Sequence, residues 1–216
     1  MNTLLRLLAL PVLALTVATA HAGNYANINL DGNTSDWAGI TAAATNTGGG
    51  PIYQIFLANN DTHFFVSITF KTPTNILTDG FRLNIDSDGN TGTGFNTYSL
   101  GLIGSEVLFE GETAYQQAAG VYNTEATTNA PLLIGNYNVA VTSLEFGIVR
   151  TAVSDTSNGT LVFQNNTINL ASYFEPPGSD SLTVANYTFA AIPEPSTYAA
   201  LAGLGMLGLA ALRRRR

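Results

Sequence analysis

The sequence predicts an all-β protein: an antiparallel β-sandwich, with an N-terminal signal peptide and a C-terminal apolar helix. Three observations carry this expectation. Residues 80–86 alternate with period two, so Phe81, Leu83 and Ile85 share one face and Arg82, Asn84 and Asp86 the other. Two apolar-rich runs, Ile52–Leu57 and His63–Phe70, flank the turn-like Asn59-Asn60-Asp61-Thr62, the signature of a hairpin. No long amphipathic helix interrupts the series, and many short strands separated by turn clusters argue for two packed sheets.

Taken in order, the chain opens with Arg6 as a positive n-region, Leu7 to Ala18 as an apolar h-region, and Ala20-His21-Ala22 as small residues around a cleavage site before Gly23. Residues 1–22 are therefore expected to be a signal peptide, and the chain to be exported. Beyond the hairpin and residues 80–86, further strands are predicted at Tyr98–Ile103, Glu106–Glu110, Tyr137–Thr142, Leu144–Val149, Thr160–Phe163 and Leu182–Phe189. Turn clusters at Asp88–Gly94, Asn158-Gly159 and Pro176-Pro177-Gly178 separate them. There is no clean internal repeat and no interior linker. Residues 23–192 are expected to form one sandwich domain, and a body of that size can bury a substantial core.

Composition narrows the function. The body carries three basic residues, Lys71, Arg82 and Arg150, against fourteen acidic ones, for a formal charge of −11, which the C-terminal arginines mask in the whole-chain value of −7. So acidic a surface repels phosphate backbones, and nucleic acid is not an expected partner. The chain contains no cysteine, which excludes thiol catalysis, thiolate haem and Cys-zinc sites. His63 is the one histidine left once the signal peptide is gone. It follows a turn directly and is expected to be a polar residue entering a strand.

Residues 193–216 form a three-part tail: Pro193-Glu194-Pro195, an uncharged run from Thr197 to Leu212, and Arg213 to Arg216. Proline lacks an N–H and restricts the residue before it, so the first part is expected to be extended and accessible. Sixteen apolar residues make a helix of roughly 24 Å, short of a hydrocarbon core of about 30 Å. The arginines would stay cytoplasmic and act as a stop. A plain membrane anchor has no need of the Pro-Glu-Pro stretch. The tail resembles the PEP-CTERM sorting signal of Gram-negative bacteria. That resemblance implies processing near Pro193, Glu194 and Pro195 by exosortase, a membrane protease-transpeptidase. The protein would sit in the inner membrane transiently, held by the C-terminal transmembrane helix, before reaching the cell envelope or extracellular matrix.

The body carries a second resemblance. Ile28-Asn29-Leu30-Asp31-Gly32-Asn33-Thr34-Ser35-Asp36-Trp37 opens the domain, a hairpin with an acidic turn follows, and Asn84-Ile85-Asp86-Ser87-Asp88-Gly89-Asn90-Thr91-Gly92-Thr93-Gly94 comes next. This order resembles the family-9 carbohydrate-binding module and its DOMON-like relatives, and implies an extracellular β-sandwich. Sugar sites in that family grip the ligand between exposed tryptophans. Trp37 is the only tryptophan here, and its place behind two turn-forming aspartates makes it an expected core residue. Haem-binding DOMON relatives use methionine and histidine ligands. The body has no methionine, because Met1 and Met206 lie in the two signals, so a Met/His haem site is excluded.

Asp86, Asp88 and Asn90 are the candidate metal ligands. Oxygen side chains at alternating positions of a Gly-rich loop can converge on Ca²⁺, which takes roughly six to eight such oxygens. The EF-hand pattern is not met, and an Asx-rich turn bonding its own backbone is the alternative. Glu106, Glu110 and Glu112 would face one side of a continuous strand, the arrangement of paired carboxylates that glycosidases use. Gly111 is expected to end that strand, and acidic residues on a wet face suit so acidic a protein. No catalytic residue is assigned. The expected function is non-enzymatic: a structural or adhesive component of the envelope or exopolysaccharide matrix. The alternatives are a carbohydrate-binding module with a defined sugar site and, behind it, a glycan-active enzyme.

Overall fold

A computed structural model describes residues 21–76, 78–96, 104–110, 113–118, 121–126, 132–134, 139–150, 167–175 and 181–191. In chain order its strands are β1 (His21–Ala22), β2 (Ala44–Thr45), β3 (Ile52–Asn59), β4 (His63–Thr74), β5 (Phe81–Asp86), β6 (Phe95–Asn96) and β7 (Gly104–Ser105). They continue with β8 (Val107–Glu110), β9 (Thr113–Ala118), β10 (Val121–Ala126), β11 (Leu132–Ile134), β12 (Val141–Val149), β13 (Thr167–Phe174) and β14 (Leu182–Thr188). A 3₁₀ turn at Thr34–Trp37 is capped by Asn33, whose side chain accepts from the Ser35 N–H.

Two sheets face one another. One has the order β1-β14-β13-β5-β8-β9-β10, the other β11-β12-β4-β3-β2. Every pairing in them is antiparallel except that of β1 with β14. The period-two pattern explains the packing. Phe81, Leu83 and Ile85 of β5 turn toward Phe64, Val66, Ile68 and Phe70 of β4 and Leu144, Phe146 and Ile148 of β12, making one continuous core. Aromatic rings lock the layers: Phe70 meets Phe81 edge-on at 6.1 Å, and Phe81 lies against Phe146 at 6.2 Å.

A second, smaller core lies on the outer face of the five-stranded sheet. There Ala58 and Phe65 are covered by Ile28 and Trp37, with Leu30, Ile40 and Phe56 packed around them. Trp37 is 5% exposed, so it is a core residue as expected. Its place is under the leading segment and not between the two sheets.

The hairpin across Asn60-Asp61-Thr62 forms as expected, with Asn59 opposite Phe64. The Asn60 side-chain oxygen accepts from the Thr62 and His63 N–H groups, an Asx turn that fixes the register. His63 begins β4; its Nδ1 is 2.8 Å from the Thr62 hydroxyl, and its ring stacks on Phe65. Two expectations need correction. Two strands are predicted at Tyr137–Thr142 and Leu144–Val149, and Tyr137 and Asn138 lie outside the described residues. From Val141 onward the chain is one strand, and a register shift between Val141 and Ser143 absorbs the break in pattern. Strand β13 lies inside the seven-stranded sheet, between β14 and β5, although no strand is predicted there from sequence. Asn169, Ala171 and Ser172 dilute its alternation, and it is held by pairing on both sides, with β5 and β14. The predicted strands at Tyr98–Ile103 and Thr160–Phe163 lie outside the described residues. So do residues 1–20 of the signal peptide and the tail from Ile192 onward.

Candidate functional site

Strand β5 ends at Asp86, which alternation turns to the outer face of the seven-stranded sheet. Its carboxylate is buried and accepts from Asn169 Nδ2 of the neighbouring β13 at 2.6 Å. The loop beyond it is wound on its own acidic side chains. The Asn90 N–H donates to Asp86 Oδ1 at 3.1 Å and to Asp88 Oδ1 at 2.8 Å, and the Thr93 hydroxyl donates to Asp88 Oδ2 at 3.0 Å. Gly89 has φ +67°, and a Cβ there would stand 2.8 Å from the Thr167 carbonyl oxygen, so the loop requires glycine at that point.

A third carboxylate arrives from further along the chain. Glu106 precedes β8 and its N–H donates to the Ile85 carbonyl. Its Oε2 accepts from the Ser87 N–H at 2.9 Å, while Oε1 is buried without a hydrogen-bond partner among the described residues. One oxygen each from Asp86, Asp88 and Glu106 lies within 4.8 Å of the others. Burial, reinforced by the charges of Asp88 and Asp86 and partly offset by the Ser87 N–H, pushes the Glu106 carboxyl up to about 7. Asp86 is also raised, by burial first and then by Asp88, against the lowering effect of Asn169. Three crowded, partly desolvated carboxylates favour either a retained proton or a hard cation.

Of the candidate ligands read from sequence, Asp86 and Asp88 come together. Asn90 lies in the same loop, where its side-chain oxygen accepts from the Gly92 N–H at 3.0 Å and its backbone N–H binds both aspartates. Sequence spacing does not identify Glu106 as a companion of this loop. The pairing of β5 with β8, Ile85 opposite Val107, brings it there. Glu110 is ion-paired with Arg82 at 3.0 Å, and Arg82 also holds Glu175 at 2.7 Å. Glu112 lies outside the described residues.

A second buried carboxylate has a structural role. Glu145 of β12 accepts from the Trp37 indole N–H at 2.6 Å and from the Gly32 N–H at 2.9 Å, binding the leading segment onto the sheet.

Comparison with known families matches residues 191–216 to the PEP-CTERM protein-sorting motif. The chain carries that sorting motif. It marks an exported protein handled by an exosortase at the cell envelope, and the match includes Pro193, Glu194 and Pro195. Among the described residues no helix is long and apolar enough to cross a membrane, and the apolar tail lies outside them. No curated protein matches the chain. Two solved structures are similar, both of a carbohydrate binding module family 9 from Caldicellulosiruptor kristjanssonii, one in complex with cellotriose and one with glucose. Each is 10% identical with a TM-score of 0.41 and covers 77% of this chain; 84% of the cellotriose-complex chain and 85% of the glucose-complex chain are covered.

Proposed function

We propose that the body is a non-enzymatic β-sandwich delivered by its sorting signal to the envelope or exopolysaccharide matrix, where it serves as a structural or adhesive component. The observation that carries this reading is the sorting motif directly behind a sandwich whose one tryptophan is buried and hydrogen-bonded inside. Among the described residues, Glu110 and Glu175 are engaged by Arg82, and Glu145 by Trp37 and Gly32. The test is to localise the full chain in a host with and without its exosortase. Retention in the envelope or matrix that depends on the enzyme supports the reading, and identical distribution in both overturns it.

A cation belongs to the same proposal. Asp86, Asp88 and Glu106 offer only oxygen donors within 4.8 Å of one another, which suits Ca²⁺. A bound cation would neutralise the three charges and tie the 87–94 loop to β5 and β8. Its role is structural.

The second reading is a carbohydrate-binding module. The observation in its favour is the pair Arg82 and Glu110, partly exposed and in register with each other on the outer face of the seven-stranded sheet. The half-buried Tyr115 is on the same face, opposite Leu108 on the neighbouring strand. Such a pair can exchange its own ion pair for sugar hydroxyls while an aromatic edge covers the ring. Binding of the 23–192 fragment on a glycan array, lost on Arg82→Ala, would promote this reading over the first.

A further inference from the structure

The two ends of the body meet on one residue. Asn59, the last residue of β3, is fully buried. Its backbone N–H donates to the Asn24 carbonyl and its carbonyl accepts from the Ala26 N–H, both at 2.9 Å. Its side chain spends both polar atoms on the other end of the chain: Oδ1 accepts from the Ala190 N–H at 2.8 Å, and Nδ2 donates to the Ala190 carbonyl at 3.1 Å. Neighbours reinforce the grip. The Tyr187 hydroxyl accepts from the Asn24 N–H at 3.3 Å. The Arg150 guanidinium lies 4.4 Å from the centre of the buried Phe189 ring, and its Nη1 donates to the Asn60 carbonyl at 2.7 Å. Phe64 meets Phe189 edge-on at 5.3 Å.

Ala190 is therefore fixed in the fold, Ala191 is exposed, and Ile192 is the one further residue before Pro193. Even fully extended, the span from Ala190 to Pro193 is about 10 Å. A peptide-cleaving enzyme takes its substrate as an extended strand with residues bound on both sides of the cleaved bond, and a protease acting on folded protein works through the locally opened population. We propose that Asn59 gates processing of the sorting signal: an enzyme that needs chain upstream of Ala191 obtains it only when the Asn59–Ala190 clamp opens. The gate controls access alone, and no bond is made or broken by it. It rests on the sorting-signal reading, because it is that signal whose processing is gated.

The test is a pulse-chase of the full chain in a Gram-negative host with an exosortase, following loss of the tail segment that contains Met206. Two variants are compared with the parent. Insertion of Ser-Gly-Ser-Gly between Ala191 and Ile192 leaves every contact of the body intact and lengthens the accessible chain. Asn59→Asp keeps the volume and the backbone bonds but sets a carboxylate oxygen against the Ala190 carbonyl. Both are expected to process roughly five- to tenfold faster than the parent: Asn59→Asp because it loses a side-chain hydrogen bond that holds the closed state, the insertion because its added chain is accessible without opening. If Asn59→Asp lowers the thermal midpoint too far to be read, the insertion decides alone. A processed parent whose rate the insertion does not change overturns the gate and leaves the sorting reading intact. A parent that keeps its tail in an exosortase host overturns the sorting reading and the gate with it.

Discussion

The indole N–H of Trp37 donates to Glu145 Oε1 at 2.6 Å across 108 residues of sequence, and both side chains are buried. The other carboxylate oxygen accepts from the Gly32 N–H, so one glutamate of β12 holds the turn that delivers the tryptophan as well as the tryptophan itself. A buried carboxylate is costly unless it is well bonded, and here each oxygen has a donor. The leading segment is thereby fastened over the outer face of the five-stranded sheet.

Removing the tryptophan should cost most of that attachment. Trp37→Ala is expected to destabilise the 23–192 fragment by ~3–5 kcal/mol in denaturant unfolding, the range for truncating a buried aromatic. Trp37→Phe keeps the apolar body but leaves Glu145 Oε1 without its donor, at about 1–3 kcal/mol. Addition of a glycan should leave tryptophan fluorescence unchanged. A stable Trp37→Ala protein that has lost glycan binding would reverse the assignment of Trp37 to the core.

Calcium should stabilise the fragment through the carboxylate cluster. Mass action gives about 2.7 kcal/mol when free calcium is a hundred times its dissociation constant. The thermal midpoint should rise with calcium and fall with chelator, and Asp86→Asn combined with Asp88→Asn should remove the difference. Glu106→Gln should weaken the calcium response, whereas Glu110→Gln should not, since Glu110 is paired with Arg82. Equal midpoints with and without chelator would leave the loop as an Asx-rich turn.

Without calcium the same cluster should make stability fall as pH rises. The Glu106 carboxyl is raised from 4.5 to about 7 in the folded chain, so the folded state binds its proton more tightly than the unfolded state does. Its contribution is fully present below about 4.5 and is lost as pH climbs through about 7. Asp86, raised as well, adds to the same slope at its own pH. Denaturant midpoints between pH 5 and pH 8 measure it, and Glu106→Gln should flatten the upper part of the profile. A calcium-free profile that rises through this window would contradict the protonated cluster.

The tail should be absent from the mature protein. A sixteen-residue apolar run behind Pro193-Glu194-Pro195 suits a processed address better than a permanent anchor. Mass spectrometry of the protein from its native host should find no peptide containing Met206 or Arg213. Recovery of the intact C-terminus from most molecules would show a retained anchor.

Much of this protein is legible from local pattern. Period-two alternation at residues 80–86 assigns faces correctly, the Asn-Asn-Asp-Thr turn marks the hairpin, and Asp86 and Asp88 share a loop because they are two residues apart. The sorting signal is likewise contiguous, and its three parts can be read without a fold. Tertiary structure decided the remainder. Strand β13 takes an interior place in a sheet despite weak alternation, because two neighbours satisfy its backbone. Glu106 joins Asp86 and Asp88 through the register of β5 with β8, Glu145 meets Trp37 across the sheet, and Asn59 binds both ends of the body. Each of these joins residues that strand order and register bring together over long stretches of chain, and a residue's local sequence carries no record of its partner in another strand.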